Sequence, residues 1–152
     1  MNEEQKFKLD RWVKHEERSL SNKWYAIGRI DLLIISISGG GLFVMFETFK
    51  FVREQKLEMD LSLLKCGAIF FAAAIIVNFI SQVFGFYANK YEAEFANNNI
   101  KKEIGKEVDD LVFAKLDVKI DFLNPALNIA NSTSVLAMFV GIILLAVFYL
   151  RF

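Results

Sequence analysis

Apolar residues along this chain gather into three long runs separated by charged segments, and the middle run is the most regular. Residues 66–89, between Lys65 and Lys90, carry no charge at all. An α-helix rising about 1.5 Å per residue needs about 20 such residues to cross a hydrocarbon layer about 30 Å thick. Within this run Gly67, Phe71, Ala74, Asn78, Ser81 and Gly85 recur at alternating four- and three-residue steps. Small and polar groups therefore share one stripe, while Phe70, Ile75, Ile76, Phe79 and Phe84 cover other faces. The spacing predicts a transmembrane helix whose stripe serves close packing or lines a lumen, because helices in lipid associate where small residues admit a neighbouring backbone. A heptad-like period also favours a shallow left-handed crossing with the next helix.

The last run, residues 126–150, is again free of charge and predicts a second span of the same kind. Asn124-Pro125 before it reads as a helix start, with asparagine as cap and proline at the first helical position. Its first half holds Asn128, Asn131, Ser132, Thr133 and Ser134, followed by Ala137 and Gly141 at small-xxx-small spacing. Polar groups at that depth are expected to face protein or water rather than lipid.

The first run is shorter. Residues 32–46 lie between Asp31 and Glu47, and about 24 Å of helix between those carboxylates spans when both sit near headgroup depth. Its centre carries Ser36, Ser38 and the triplet Gly39, Gly40 and Gly41, which fits close packing against the small stripe of the second helix, or a flexible gating hinge.

The intervening segments are polar. In residues 1–23 the positions Leu9, Trp12, Val13, Leu20 and the following Trp24 fall roughly along one helical face, predicting a short amphipathic helix at the membrane surface or against a partner helix, with a solvated leader as the alternative. Residues 48–60 form a short connector between antiparallel helices. Asn97-Asn98-Asn99 marks a break or turn. Beyond it Ile100, Ile104, Val108, Leu111 and Val112 predict a second amphipathic, water-side helix, and residues 117–122 an irregular connection. The expected fold is an all-α membrane protein with three transmembrane helices and amphipathic cytoplasmic helices. Its parts are a leader (1–23), a transmembrane hairpin (24–90), a cytoplasmic helical segment (91–123) and a third span (124–152).

Composition agrees with this class. Of 152 residues, 55% are hydrophobic and 16 are phenylalanine, against one proline, a membrane balance rather than that of a soluble domain. The charge is zero, with 18 basic and 18 acidic residues, so bulk charge favours neither nucleic acid nor an acidic partner. Cys66 has no second cysteine for a disulfide, and the single His15 makes no metal site. The first apolar run begins too late for the hydrophobic region of a cleavable signal. No paired carboxylates in a polar pocket, nucleophile beside a base or phosphate-cradling loop is evident, so neither an enzyme nor a cofactor is expected. Gly39-Gly40-Gly41 lies inside an apolar run with no lysine following, unlike a phosphate loop.

Three helices have little interior of their own, so Asn78, Ser81, Gln82, Asn128 and Asn131 are expected at interfaces between copies or along a wet lumen. Gly39, Gly40, Gly41, Gly67, Ala74, Gly85 and Ser134 join them as candidates for a pore lining or a homo-oligomer seam. Basic residues are more numerous up to Arg29 and in residues 90–119 than in residues 50–65, which favours a cytoplasmic amino terminus. Residues 89–123 hold eight carboxylates and six lysines, the balance of a solvated surface.

From about His15 to Glu107 the layout resembles a known group. A charged leader ending in Trp24-Tyr25, a hairpin with a short outer loop and the exit Phe84-Gly85-Phe86-Tyr87-Ala88-Asn89-Lys90-Tyr91-Glu92-Ala93-Glu94 are similar to the two-transmembrane SLATT effectors of bacterial conflict systems. The third span brings it nearer in layout to the membrane component of the Hailong antiphage system. The resemblance implies a homo-oligomeric pore in the bacterial inner membrane, gated by a nucleotide or single-stranded oligonucleotide signal from a partner nucleotidyltransferase during abortive infection. It implies in turn that such an anionic signal docks on Lys90, Lys101, Lys102, Lys106, Lys115 and Lys119, since phosphate affinity comes mainly from such charges, against the alternative that these are solvated surface lysines. A holin-like lysis protein, or an accessory subunit of a larger membrane complex, are the alternatives.

Overall fold

A computed structural model describes the backbone of residues 3–103 and 109–151. It describes side-chain surroundings from residue 28 onward, apart from residues 100, 102–108, 110 and 152. Three α-helices make up the fold: α1 (Glu3–Glu54), α2 (Ser62–Glu103) and α3 (Asp110–Arg151), with no strand among the described residues.

Their ends follow from local chemistry. Asp60 Oδ1 accepts a hydrogen bond from Ser62 N at 2.9 Å, and Asp109 Oδ1 one from Leu111 N at 2.9 Å. Each carboxylate thus satisfies an amide donor that the first turn of α2 or α3 leaves open. Hydrogen bonds from the Ser62 side chain and backbone, with the charge of Lys65, hold the Asp60 carboxyl below the usual aspartate range. At the end of α1, Leu57 N bonds Val52 O at 3.1 Å and Lys56 N bonds Arg53 O at 3.3 Å, with Lys56 at φ 52°. This is a Schellman closure whose left-handed position, usually glycine, is a lysine.

Three sequence expectations are corrected. The connector after the first span shrinks from residues 48–60 to 55–61, because α1 continues to Glu54. The expected break at Asn97-Asn98-Asn99 is continuous helix: Asn99 Nδ2 bonds the Phe95 carbonyl one turn back at 3.2 Å instead of closing a turn. The expected helix start at Asn124-Pro125 lies inside α3, which begins at Asp110 and takes in the supposed connection 117–122. Asn124 Nδ2 is engaged across the pair by Glu92 Oε1 at 3.2 Å and caps nothing. Proline deprives only the carbonyl one turn back of its donor, and that carbonyl belongs to exposed Asp121.

By packing the chain divides into Met1–Leu33 and Ile34–Phe152. The first unit is helical from Glu3; the face predicted for residues 1–23 lies outside the described side chains. The second unit is a three-helix bundle in which each helix buries a heptad-like stripe. These are Ile34, Ser38, Met45 and Val52 on α1; Leu64, Phe71, Ala74, Asn78, Ser81 and Ala88 on α2; and Ala130, Ser134, Ala137 and Phe148 on α3. Its tightest point is Phe71, 1% exposed. A Cβ built on Gly41 of α1 would clash with one edge of that ring, and a Cβ on Gly141 of α3 would lie 2.8 Å from the other. Two helices approach the aromatic ring this closely because both lack a side chain there. Gly67 admits the end of the Met45 side chain in the same way. Since Phe71 meets Gly141 and Gly85 meets Leu127, Asn78 and Ser134 lie at one level, midway between those contacts on antiparallel helices.

The apolar stretches suited to crossing a membrane are Gly28–Glu54, Ser62–Asn99 and Leu111–Arg151. The latter two hold 38 and 41 residues, which at about 1.5 Å per residue make rods about 60 Å long, twice a hydrocarbon layer. Leu32, Phe43, Ile69, Phe79, Phe86, Ile129 and Leu136 stand exposed, an apolar surface far beyond the small patches a soluble monomer shows. The chain is an all-helical, multi-pass membrane protein.

Candidate functional site

The membrane half sorts the sequence candidates into two sets. Gly67, Ala74, Asn78, Ser81 and Ser134 are buried inside the bundle of one chain, and Gly39, Gly41 and Gly85 are half-buried. Ser81 Oγ donates to the Asn78 carbonyl at 2.8 Å, and Ser134 Oγ to the Asn131 carbonyl at 2.8 Å, so both hydroxyls are satisfied within their own helices. Ser38, which the sequence gave no reason to separate from Ser36, is wholly buried. Its Oγ has no hydrogen-bond partner among the described residues. The interior of a single protomer therefore holds Asn78, Ser81 and Ser134, polar groups expected from the sequence at interfaces between copies or along a wet lumen.

Gly40, Gln82 and Asn128 form the other set and are exposed, with Asn131 half-buried. Asn124, Asn128 and Asn131 follow an i, i+4, i+7 spacing and so share one face of α3. That amide ladder begins at the Glu92 contact and climbs into the uncharged part of the helix.

At the far end from the connector, α2 and α3 continue as a pair. Phe95 and Phe113 pack edge to face with centroids 5.4 Å apart. Lys119 Nζ lies 4.5 Å above the Tyr91 ring, which stacks in turn on Tyr87 at 6.3 Å. Tyr87, Tyr91, Lys119, Phe122 and Leu123 line a recess of about 280 Å³. Of the lysines considered for an anionic ligand, Lys90, Lys101 and Lys115 are exposed and Lys119 sits on its tyrosine. The side chain of Lys102, and Lys106 altogether, lie outside the described residues. The Lys119–Tyr91 pair had no signature in sequence, since its members lie on different helices. At the connector end, Thr48 Oγ1 donates to the Val44 carbonyl at 2.8 Å and lies 2.6 Å from Tyr149 Oη. A second recess there, of about 520 Å³, is lined by Phe49, Lys50, Arg53 and Glu54. Among the described residues no three His, Cys, Asp or Glu side chains gather as a metal site would require.

The geometry defines an apolar helical bundle with a closed core, an amide ladder along one face of α3 with Asn128 outward, and a pairing of α2 with α3 beyond the end of α1. Comparison with protein-family models, with characterised proteins and with solved structures finds no match to this chain.

Proposed function

We propose that copies of this chain assemble into a pore or ion channel of the bacterial inner membrane, with the amino terminus and the outer part of the α2–α3 pair on the cytoplasmic side. The observation that carries this reading is that polar groups remain outward after the protomer has closed its own core. Gln82 and Asn128 are exposed within apolar spans. An amide facing hydrocarbon is costly, so such groups are met by a neighbouring protomer or by water in a lumen. Ranged about a rotation axis, ladders of this kind give a polar-lined path.

The resemblance described above supports the narrower reading of an antiphage effector controlled by a nucleotide or oligonucleotide from a partner nucleotidyltransferase. Such a ligand would dock on Lys90, Lys101, Lys102, Lys106, Lys115 and Lys119, and would act through unequal affinity for the open and closed arrangements.

The test is ion flux from liposomes holding purified protein, with and without cyclic and linear oligonucleotides, alongside a mass measurement in detergent. Ligand-dependent flux from a homo-oligomer is expected. Flux indifferent to every ligand favours a holin-like lesion, and a silent monomer favours an accessory subunit of a larger complex.

A further inference from the structure

The recess between α2 and α3 coincides with the edge of the apolar belt. On α2 the uncharged residues end at Asn89, and on α3 they begin at Phe122. Tyr87, Phe122 and Leu123 therefore line the recess from the apolar side, while Tyr91 and Lys119 line it from the water side. Tyrosine rings favour the boundary between hydrocarbon and water, where an apolar body and a polar tip are both accommodated. Lys119 is held there by the face of Tyr91 at 4.5 Å while its side chain stays exposed, so its ammonium donors remain open to solvent. The carboxylate nearest along α2, Glu92, is engaged by Asn124 and does not line the recess.

We infer that this recess binds the headgroup of an anionic phospholipid, with the phosphate on Lys119 beside Tyr91 and an acyl chain lying over Phe122. The size fits: about 280 Å³ is below the usual range for an enclosed organic ligand, yet ample for a headgroup whose chains run outside. The lining also selects a lipid over a soluble phosphate. Phe122 is 69% exposed and continues the outward apolar surface, which an acyl chain covers and a nucleotide does not. One lysine matches the single charge of a phosphodiester better than a polyphosphate. This assignment is independent of whether the protein conducts, and it takes Lys119 out of the set of lysines on which a soluble nucleotide would dock.

Full-length protein, stripped in detergent and re-exposed to phosphatidylglycerol or phosphatidylcholine, is assayed by native mass spectrometry for lipid retained per chain. Preferential retention of phosphatidylglycerol is expected. Lys119→Gln should lower it about fivefold, the worth of one cation near an anionic surface. Lys119→Arg should retain it, as should Lys115→Gln, which removes a lysine one turn earlier on α3. Helix content by circular dichroism checks that each variant is folded, and the wild-type preference stands as a test without any variant. Equal retention of the two lipids, or a folded Lys119→Gln indistinguishable from wild type, would overturn the assignment. Displacement of the lipid by soluble pyrophosphate at equal concentration would overturn it in favour of a free-phosphate site.

Discussion

Phe71 occupies the space that Gly141 leaves by having no side chain: a Cβ there would stand 2.8 Å from the ring. With Gly41 on the opposite edge, the contact joins all three helices at one level, and it makes the glycines a matter of volume rather than backbone freedom.

Gly141→Ala should therefore destabilise the bundle by about 1 to 3 kcal/mol, the usual cost of forcing an extra carbon into a filled core. Gly40→Ala, whose Cβ meets nothing within 4 Å, should be neutral or stabilising by up to about 1 kcal/mol, because alanine is the better helix former. Reversible unfolding in mixed detergent measures both. Combining Gly141→Ala with Phe71→Leu should recover part of the loss, since contacting residues are not additive; a purely additive double variant would contradict the wedge.

Burial separates two amides of similar chemistry. Asn78 is wholly buried in its own protomer, so Asn78→Leu should lower protomer stability. Asn128 is exposed, and Asn128→Leu should leave protomer unfolding within about 0.5 kcal/mol of wild type, as outward substitutions do, while changing oligomer mass or liposome flux. An Asn128→Leu protein with unaltered mass and flux would remove the amide ladder from any seam or lumen.

Lys56 sits at φ 52° in the closure of α1, where a side chain costs about 1 kcal/mol relative to glycine. Lys56→Gly should raise stability by about that amount without altering helix content. A loss of stability would mean that the lysine side chain has a role the backbone geometry does not reveal.

Asp60 carries a pH signature of known sign. Its carboxyl is held below the ordinary aspartate range by hydrogen bonds from Ser62 and the charge of Lys65. A depressed folded value means that the stabilisation is fully present above the unfolded value of about 3.9 and is lost as pH falls through the lower folded value. Wild type should be more stable than Asp60→Ala at neutral pH, and the difference should shrink in acid below that point. A difference constant down to pH about 2 would show that the carboxylate's charge is irrelevant to the cap.

The chain's repeating patterns were easier to read than its punctuation. The stripe from Gly67 to Gly85 is visible in sequence because a heptad of small and polar residues in an apolar run has one geometric meaning, and Phe71, Ala74, Asn78 and Ser81 are indeed buried along it. At Asn97-Asn98-Asn99 and Asn124-Pro125 the sequence points to a break and a helix start that do not form, because turn and cap preferences are local. Here the opposing helix decides: Phe95 packs on Phe113 and Asn124 bonds Glu92, so both segments remain helical against their propensities. The split between inward Ser38 and outward Ser36 depends on how α1 is rotated about its axis, which no single run of residues specifies. Lys119 over Tyr91 depends on the register between two helices, set by contacts such as Phe71 with Gly141 many turns away.

Neither α2 nor α3 has a joint where it leaves the bilayer: α2 passes through Asn97-Asn98-Asn99 and α3 through Pro125 as single rods. A twist or tug applied where α2 ends and α3 begins therefore meets no break in either helix on its way to the glycine-wedged ring at Phe71. Events at those ends and the packing of that ring are mechanically one event.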